Sequence, residues 1–149
     1  MCATRALCSL FIIAAFAGCS QGPAVKGLES SRSLGHGYWL VTVAAPVQGV
    51  FESVGHFSHC YYNNQDLGQC DRMSPSPSGK FAIYQRANTG LVMIFDAGAG
   101  QSSNVTNSFP GLLGPVNWQE SDGRGQFKAG EPGSERSLTF SFKVRAGGT

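Results

Sequence analysis

Phe81-Ala82-Ile83-Tyr84-Gln85-Arg86-Ala87-Asn88-Thr89-Gly90-Leu91-Val92-Met93-Ile94-Phe95 is the stretch that decides the fold. Residues 81–85 and 91–95 are rich in aromatic and aliphatic side chains that fit a pleated surface. The polar link 86–90 ends in glycine, as hairpin connections do. Asp96-Ala97-Gly98-Ala99-Gly100 then stops the return strand. Two strands and a turn in fifteen residues leave no room here for a helix.

The same pattern extends in both directions. Tyr38-Trp39-Leu40-Val41-Thr42-Val43 predicts a strand that ends at Ala44-Ala45-Pro46. Val47 to Val54 predicts a weaker second strand with Gly49 inside it, and His56 to Tyr62 a third. Asn63 to Gly68 reads as a loop, and Asp71 to Gly79 as a turn region kept extended by Pro75 and Pro77. Residues 101–115 are polar and rich in Asn, Gly and Pro, with Phe109, Leu112 and Leu113 available for packing. Val116-Asn117-Trp118 opens another strand, and Asp122-Gly123-Arg124-Gly125 turns into Gln126-Phe127-Lys128. After a second turn at Glu131 to Ser134 comes Ser137 to Val144, where Leu138, Phe140, Phe142 and Val144 share one face. No stretch has the spacing of a long amphipathic helix. The expectation is a single all-β domain over residues 36–146, a small β-sandwich or partly open barrel of about seven short antiparallel strands.

The N-terminal residues read differently. In MCATRALCSLFIIAAFAGCS, Arg5 is the only charge before Lys26, and an apolar run from Ala6 to Ala17 follows it. A charged start and a short apolar run are the parts of a secretory signal. A bilayer needs roughly 20 apolar residues, so the run is too short to span one. Phe16-Ala17-Gly18-Cys19, followed by Ser20, resembles the lipobox of bacterial lipoproteins, with Phe16 where leucine is usual. That resemblance implies a signal peptide over residues 1–18, cleavage before Cys19, and diacylglycerol on the Cys19 sulfur with a further acyl chain on its amine. Several acyl chains on one residue would make a lasting anchor, whereas a single chain binds only reversibly. Ser20 in place of Asp resembles the class sorted to the outer membrane. Residues 19–35 hold few large apolar groups and read as a flexible tether.

The same resemblance sorts the five cysteines. Cys2 and Cys8 leave with the signal, Cys19 takes lipid, and Cys60 and Cys70 remain as a disulfide pair suited to an oxidising periplasm. A metal cluster of His56, His59, Cys60 and Cys70 is the alternative, but its spacing matches no zinc pattern. Removing Arg5 takes the 11 Lys and Arg to 10 against 9 Asp and Glu. Interspersed charges and a net charge near neutrality argue against a nucleic-acid partner. Charged residues are only 13% of the chain, so Ser, Asn, Gln, Thr and Gly must carry the surface.

A second resemblance is local. Ser76-Pro77-Ser78-Gly79-Lys80-Phe81-Ala82-Ile83-Tyr84, with its hairpin to Asp96, looks like the start of a blade in TolB-like or WD-type propellers. Pro115 to Trp118 and Ser121 to Arg124 loosely repeat it, with Gly79 and Gly123 44 residues apart. The prolines do not align between the copies, and the 131 residues from Cys19 onward cannot close a ring that needs about 160.

No catalytic pattern emerges. His56 and His59 fall on opposite faces of a strand, and His36 is isolated. The acidic residues Asp66, Asp71, Glu120 and Asp122 sit among turn formers, and neither a serine elbow nor HExxH occurs. Gly98-Ala99-Gly100 lacks the helix and lysine of a phosphate cradle. Adjacent strand residues face opposite ways, so one of Tyr38 and Trp39, and one of Tyr61 and Tyr62, should point away from the core. These four and Trp118 are the candidate partner-binding residues. The expectation is a lipid-anchored module of the bacterial envelope that needs no cofactor, most naturally on the outer membrane facing the periplasm. It would bind an envelope or secreted protein, or a glycan, without catalysis. A structural or assembly part of an envelope complex is the second reading, and a small periplasmic hydrolase the third.

Overall fold

The computed structural model describes residues 22–49, 53–106, 112–131 and 133–144. Cys19 and the expected signal peptide lie outside them. The described chain is all-β and antiparallel, in two sheets that do not close into a barrel. Strands β1 (Leu28–Gly35), β2 (Tyr38–Pro46), β3 (Val54–Tyr62), β4 (Gln65–Pro75), β5 (Phe81–Arg86), β6 (Val92–Asp96) and β7 (Gln101–Thr106) form one sheet in chain order. Strands β8 (Leu112–Gln119), β9 (Arg124–Gly130) and β10 (Arg136–Ser141) form the second. A 3-10 turn at Glu120–Asp122 links β8 to β9.

The strand number exceeds the seven expected, and the differences have physical reasons. Residues 28–35 are strand β1, where a tether extending to residue 35 was expected. Seven of its eight residues are exposed, so β1 is held by main-chain pairing to β2 and shows no apolar alternation. Strand β7 is polar for the same reason, since among the described residues it pairs with β6 alone. Of the expected strand at Val47 to Val54, residues 47–49 and 53 lie in no strand, Val54 begins β3, and residues 50–52 lie outside the described residues. The Val47 N–H donates to the Ser53 carbonyl across that connection.

One sheet in chain order contains two meanders because β4 changes partner midway. Gln65 to Gln69 pair with β3, whereas Cys70 to Pro75 pair with β5, with a bulge in each ladder near the changeover. The first meander is therefore β1, β2, β3 and the start of β4, and the second is the end of β4 with β5, β6 and β7. Strands β8 to β10 are the third. The three stack face to face. Ala82, Tyr84, Met93 and Phe95 on one face of the second meander meet Tyr38, Cys60, Leu67 and Cys70 of the first. Phe81, Ile83, Val92 and Ile94 on its other face meet Leu113, Phe127, Ala129 and Phe140 of the third. The β5–β6 hairpin is buried on both faces, so it reads as a continuous apolar run. Strand β9 has one solvated face and alternates, with Phe127 and Ala129 in and Gln126 and Lys128 out.

Turns from all three meanders gather at one end of the stack. The buried Tyr38 hydroxyl donates to the Gly79 carbonyl at 3.1 Å. Gly79 has φ +74, and a Cβ there would collide with His36 of the β1–β2 turn. The Ser78 N–H and hydroxyl both donate to the Glu120 carboxylate, joining the second and third meanders. Partial burial works against the Glu120 charge, but the Ser78 and Ser76 hydroxyls, the Ser78 N–H and nearby Lys80 outweigh it and hold this carboxyl below its ordinary value.

Candidate functional site

The structure brings Cys60 and Cys70 together as a disulfide with Cα atoms 5.7 Å apart, fully buried where β4 changes partner. The aromatic candidates are placed differently from expectation. Tyr38 is fully buried and Tyr61 nearly so, while Trp39, Tyr62 and Trp118 are half-buried. Alternation on β2 and β3 does not expose one residue of each pair, because both faces of these strands are covered. Tyr38 and Tyr62 face the second meander, and Trp39 and Tyr61 belong to a separate cluster with Val25, Val41, Val43 and Phe57. Trp118 packs edge-on against Phe140 and Phe142, with ring centroids 5.3 and 5.7 Å away. Tyr38 and Tyr61 are thus core residues, while Trp39, Tyr62 and Trp118 keep part of their surface exposed.

Two histidines meet carboxylates. His59 Nδ1 lies 3.1 Å from Asp66 Oδ2, and the Tyr61 hydroxyl donates to the same oxygen at 3.2 Å. The Gly68 N–H donates to Asp66 Oδ1 at 2.7 Å. Burial, then the Asp66 charge and its hydrogen bond, push the Tyr61 hydroxyl pKa up, so this phenol stays protonated. His56 Nδ1 lies 2.7 Å from Glu29 and ties β3 to the edge strand. The Asp66 cluster can orient an imidazole, but among the described residues no Ser or Cys side chain hydrogen-bonds to His59 as a nucleophile would. No three His, Cys, Asp or Glu side chains among the described residues converge as metal ligands.

A site that sequence reasoning missed lies where one strand of each meander meets the others. Arg32 of β1, Asp71, Arg72 and Met73 of β4, and Leu113 and Pro115 of β8 line a groove of about 560 Å³. Neither Arg32 nor Arg72 forms an ion pair among the described residues. A guanidinium presents five donors in a planar fork that matches carboxylate and phosphate oxygens. Met73, Leu113 and Pro115 add apolar surface for the body of a ligand. With Asp71 present the groove is only moderately cationic, which suits an oxyanion attached to a larger molecule. No spacing in the chain announces this site, since Arg32 and Arg72 are 40 residues apart. A second cleft of about 460 Å³ has Phe81, Ile94, Val105 and Phe142 as its floor and Asp96 and Lys143 at its polar margin.

Comparison with known proteins finds no matching family model, no matching curated protein and no matching solved structure.

Proposed function

We propose that this chain is a lipid-anchored lipoprotein of a bacterial envelope, held through Cys19 and facing the periplasm from the outer membrane, whose β domain is a non-catalytic binding module. The observation that carries the binding reading is the groove with Arg32 and Arg72 on separate meanders and free of ion pairs among the described residues. Paired strands fix the backbone under both arginines, so the ordering cost on binding is confined to the two exposed side chains, about 0.5–1.5 kcal/mol each. The partner is a protein or glycan that offers carboxylate or phosphate groups. The signal-like residues 1–18 and the lipobox-like sequence ending at Cys19 support the anchor.

Two measurements test this. In the producing cell, radiolabelled palmitate should enter the parent chain and be absent from Cys19→Ala, which should leave the membrane fraction. Binding to immobilised polygalacturonate and poly-glutamate, with dextran as the neutral control, tests the groove. The parent domain should prefer one anionic polymer, and Arg32→Gln/Arg72→Gln should weaken it about tenfold, about 1.4 kcal/mol. Equal retention on dextran, or unchanged binding by the double variant, would overturn the groove assignment.

A further inference from the structure

Gly22-Pro23-Ala24-Val25 does not trail away from the domain. Pro23 is buried, and Val25 packs against the cluster on the far face of the first meander. A Cβ at Gly22 would lie 3.4 Å from the Trp39 ring and 3.3 Å from the Ser31 hydroxyl, so the backbone there rests on both. At the other end of the segment the Ala44 N–H donates to the Gly27 carbonyl at 2.9 Å. The segment thus crosses the face of β2 from Ala44 to Trp39.

Only Ser20 and Gln21 separate Cys19 from this docked segment. Three Cα steps reach at most about 11 Å, against about 30 Å for the nine steps from Cys19 to Leu28 if all were free. We infer that the lipid on Cys19 holds the domain directly against the bilayer, with the first meander nearest the headgroups. This rests on the anchor proposed above. The lipid surface is the partner of this face, because every acyl chain on Cys19 must enter a bilayer within that short reach of Gly22. The outer face of the third meander, with Gln126 and Lys128 exposed, lies two sheet spacings away, about 20 Å. It is the face presented to the aqueous space.

The test uses the full lipidated chain in phosphatidylethanolamine/phosphatidylglycerol vesicles that carry a headgroup-attached quencher. Single labels are placed through Asn64→Cys, in the β3–β4 turn, or Gln126→Cys, since Cys19 carries lipid and Cys60 and Cys70 are bonded. Quenching at position 64 should exceed that at position 126. A twelve-residue Gly/Ser insertion after Gln21 adds about 20 Å of average reach and should abolish the difference. Val25→Asp, checked for a cooperative unfolding transition, should reduce it without any insertion. Equal quenching at both positions in the parent chain, or a difference that survives the insertion, overturns the close-docked arrangement. Flotation separates the two readings: if Cys19→Ala floats with the vesicles as the parent does, the anchor itself fails and the arrangement with it.

Discussion

Replacing Gln85 with leucine should cost about 1–3 kcal/mol, a large effect for a change of nearly equal volume. Gln85 is 2% exposed, on the face of β5 that packs on the third meander. Its Oε1 accepts the Leu113 N–H at 2.7 Å, a side-chain bond that joins the two sheets. Leucine would fill the space but leave the Leu113 amide facing hydrocarbon. An unsatisfied buried donor costs about 1–3 kcal/mol, more than the roughly 1 kcal/mol net value of the bond itself. The added apolar burial offsets part of this. Urea unfolding followed by tryptophan fluorescence reads the result, because Trp118 sits in the third meander's aromatic cluster. With a slope of about 1–3 kcal/mol/M, the midpoint should fall by about 1 M. The Leu113 amide should also exchange with deuterium faster, by about tenfold for each 1.4 kcal/mol. An unchanged midpoint and unchanged Leu113 exchange would refute the view that the Gln85–Leu113 bond helps to seat the third meander on the second.

Other perturbations have defined signs. Cys60→Ala/Cys70→Ala opens a loop of about eleven residues, and the chain-entropy relation puts the loss at about 2.8 kcal/mol, measurable in the same urea titration. The Glu120 carboxyl titrates below its ordinary 4.5 in the folded state, so its contribution is present above that pH and lost as pH falls through the lower folded value. Stability measured between pH 6 and pH 3 should therefore fall less steeply in Glu120→Gln than in the parent. Gly79→Val places a β-branched residue at φ +74 with its Cβ on His36, and calorimetry should show a loss of about 1–3 kcal/mol or more.

The class of fold was legible because the core strands carry their burial in their composition. The 81–95 hairpin and the alternating residues of β10 identified an all-β domain without any long-range information. Strands β1 and β7 were not legible, since edge strands of exposed polar residues are specified by the strand beside them and leave no pattern of their own. The faces of β2 and β3 were misread for a related reason. Alternation shows that Tyr38 and Trp39 point to opposite sides, but only the packing of Val25 on one side and Phe95 on the other shows that both sides are covered. Cys60 and Cys70 could be paired only once the lipobox resemblance had assigned the other three cysteines. The Arg32–Arg72 groove could not, because it exists only where β1, β4 and β8 stand side by side.

The order of the strands has a kinetic consequence. All eight pairings join strands that are neighbours in the chain, with no crossover anywhere in the described sheets. Each hairpin closes over a short connection, so little loop entropy is lost before contacts form, and proteins rich in such local contacts fold quickly. Refolding should fall at the fast end of all-β domains, on the order of milliseconds. A chain emerging from its N-terminus pairs each strand as the next one arrives. The slow step would be the collapse of finished meanders onto the β5–β6 hairpin, when two ready-made apolar faces lose their water together.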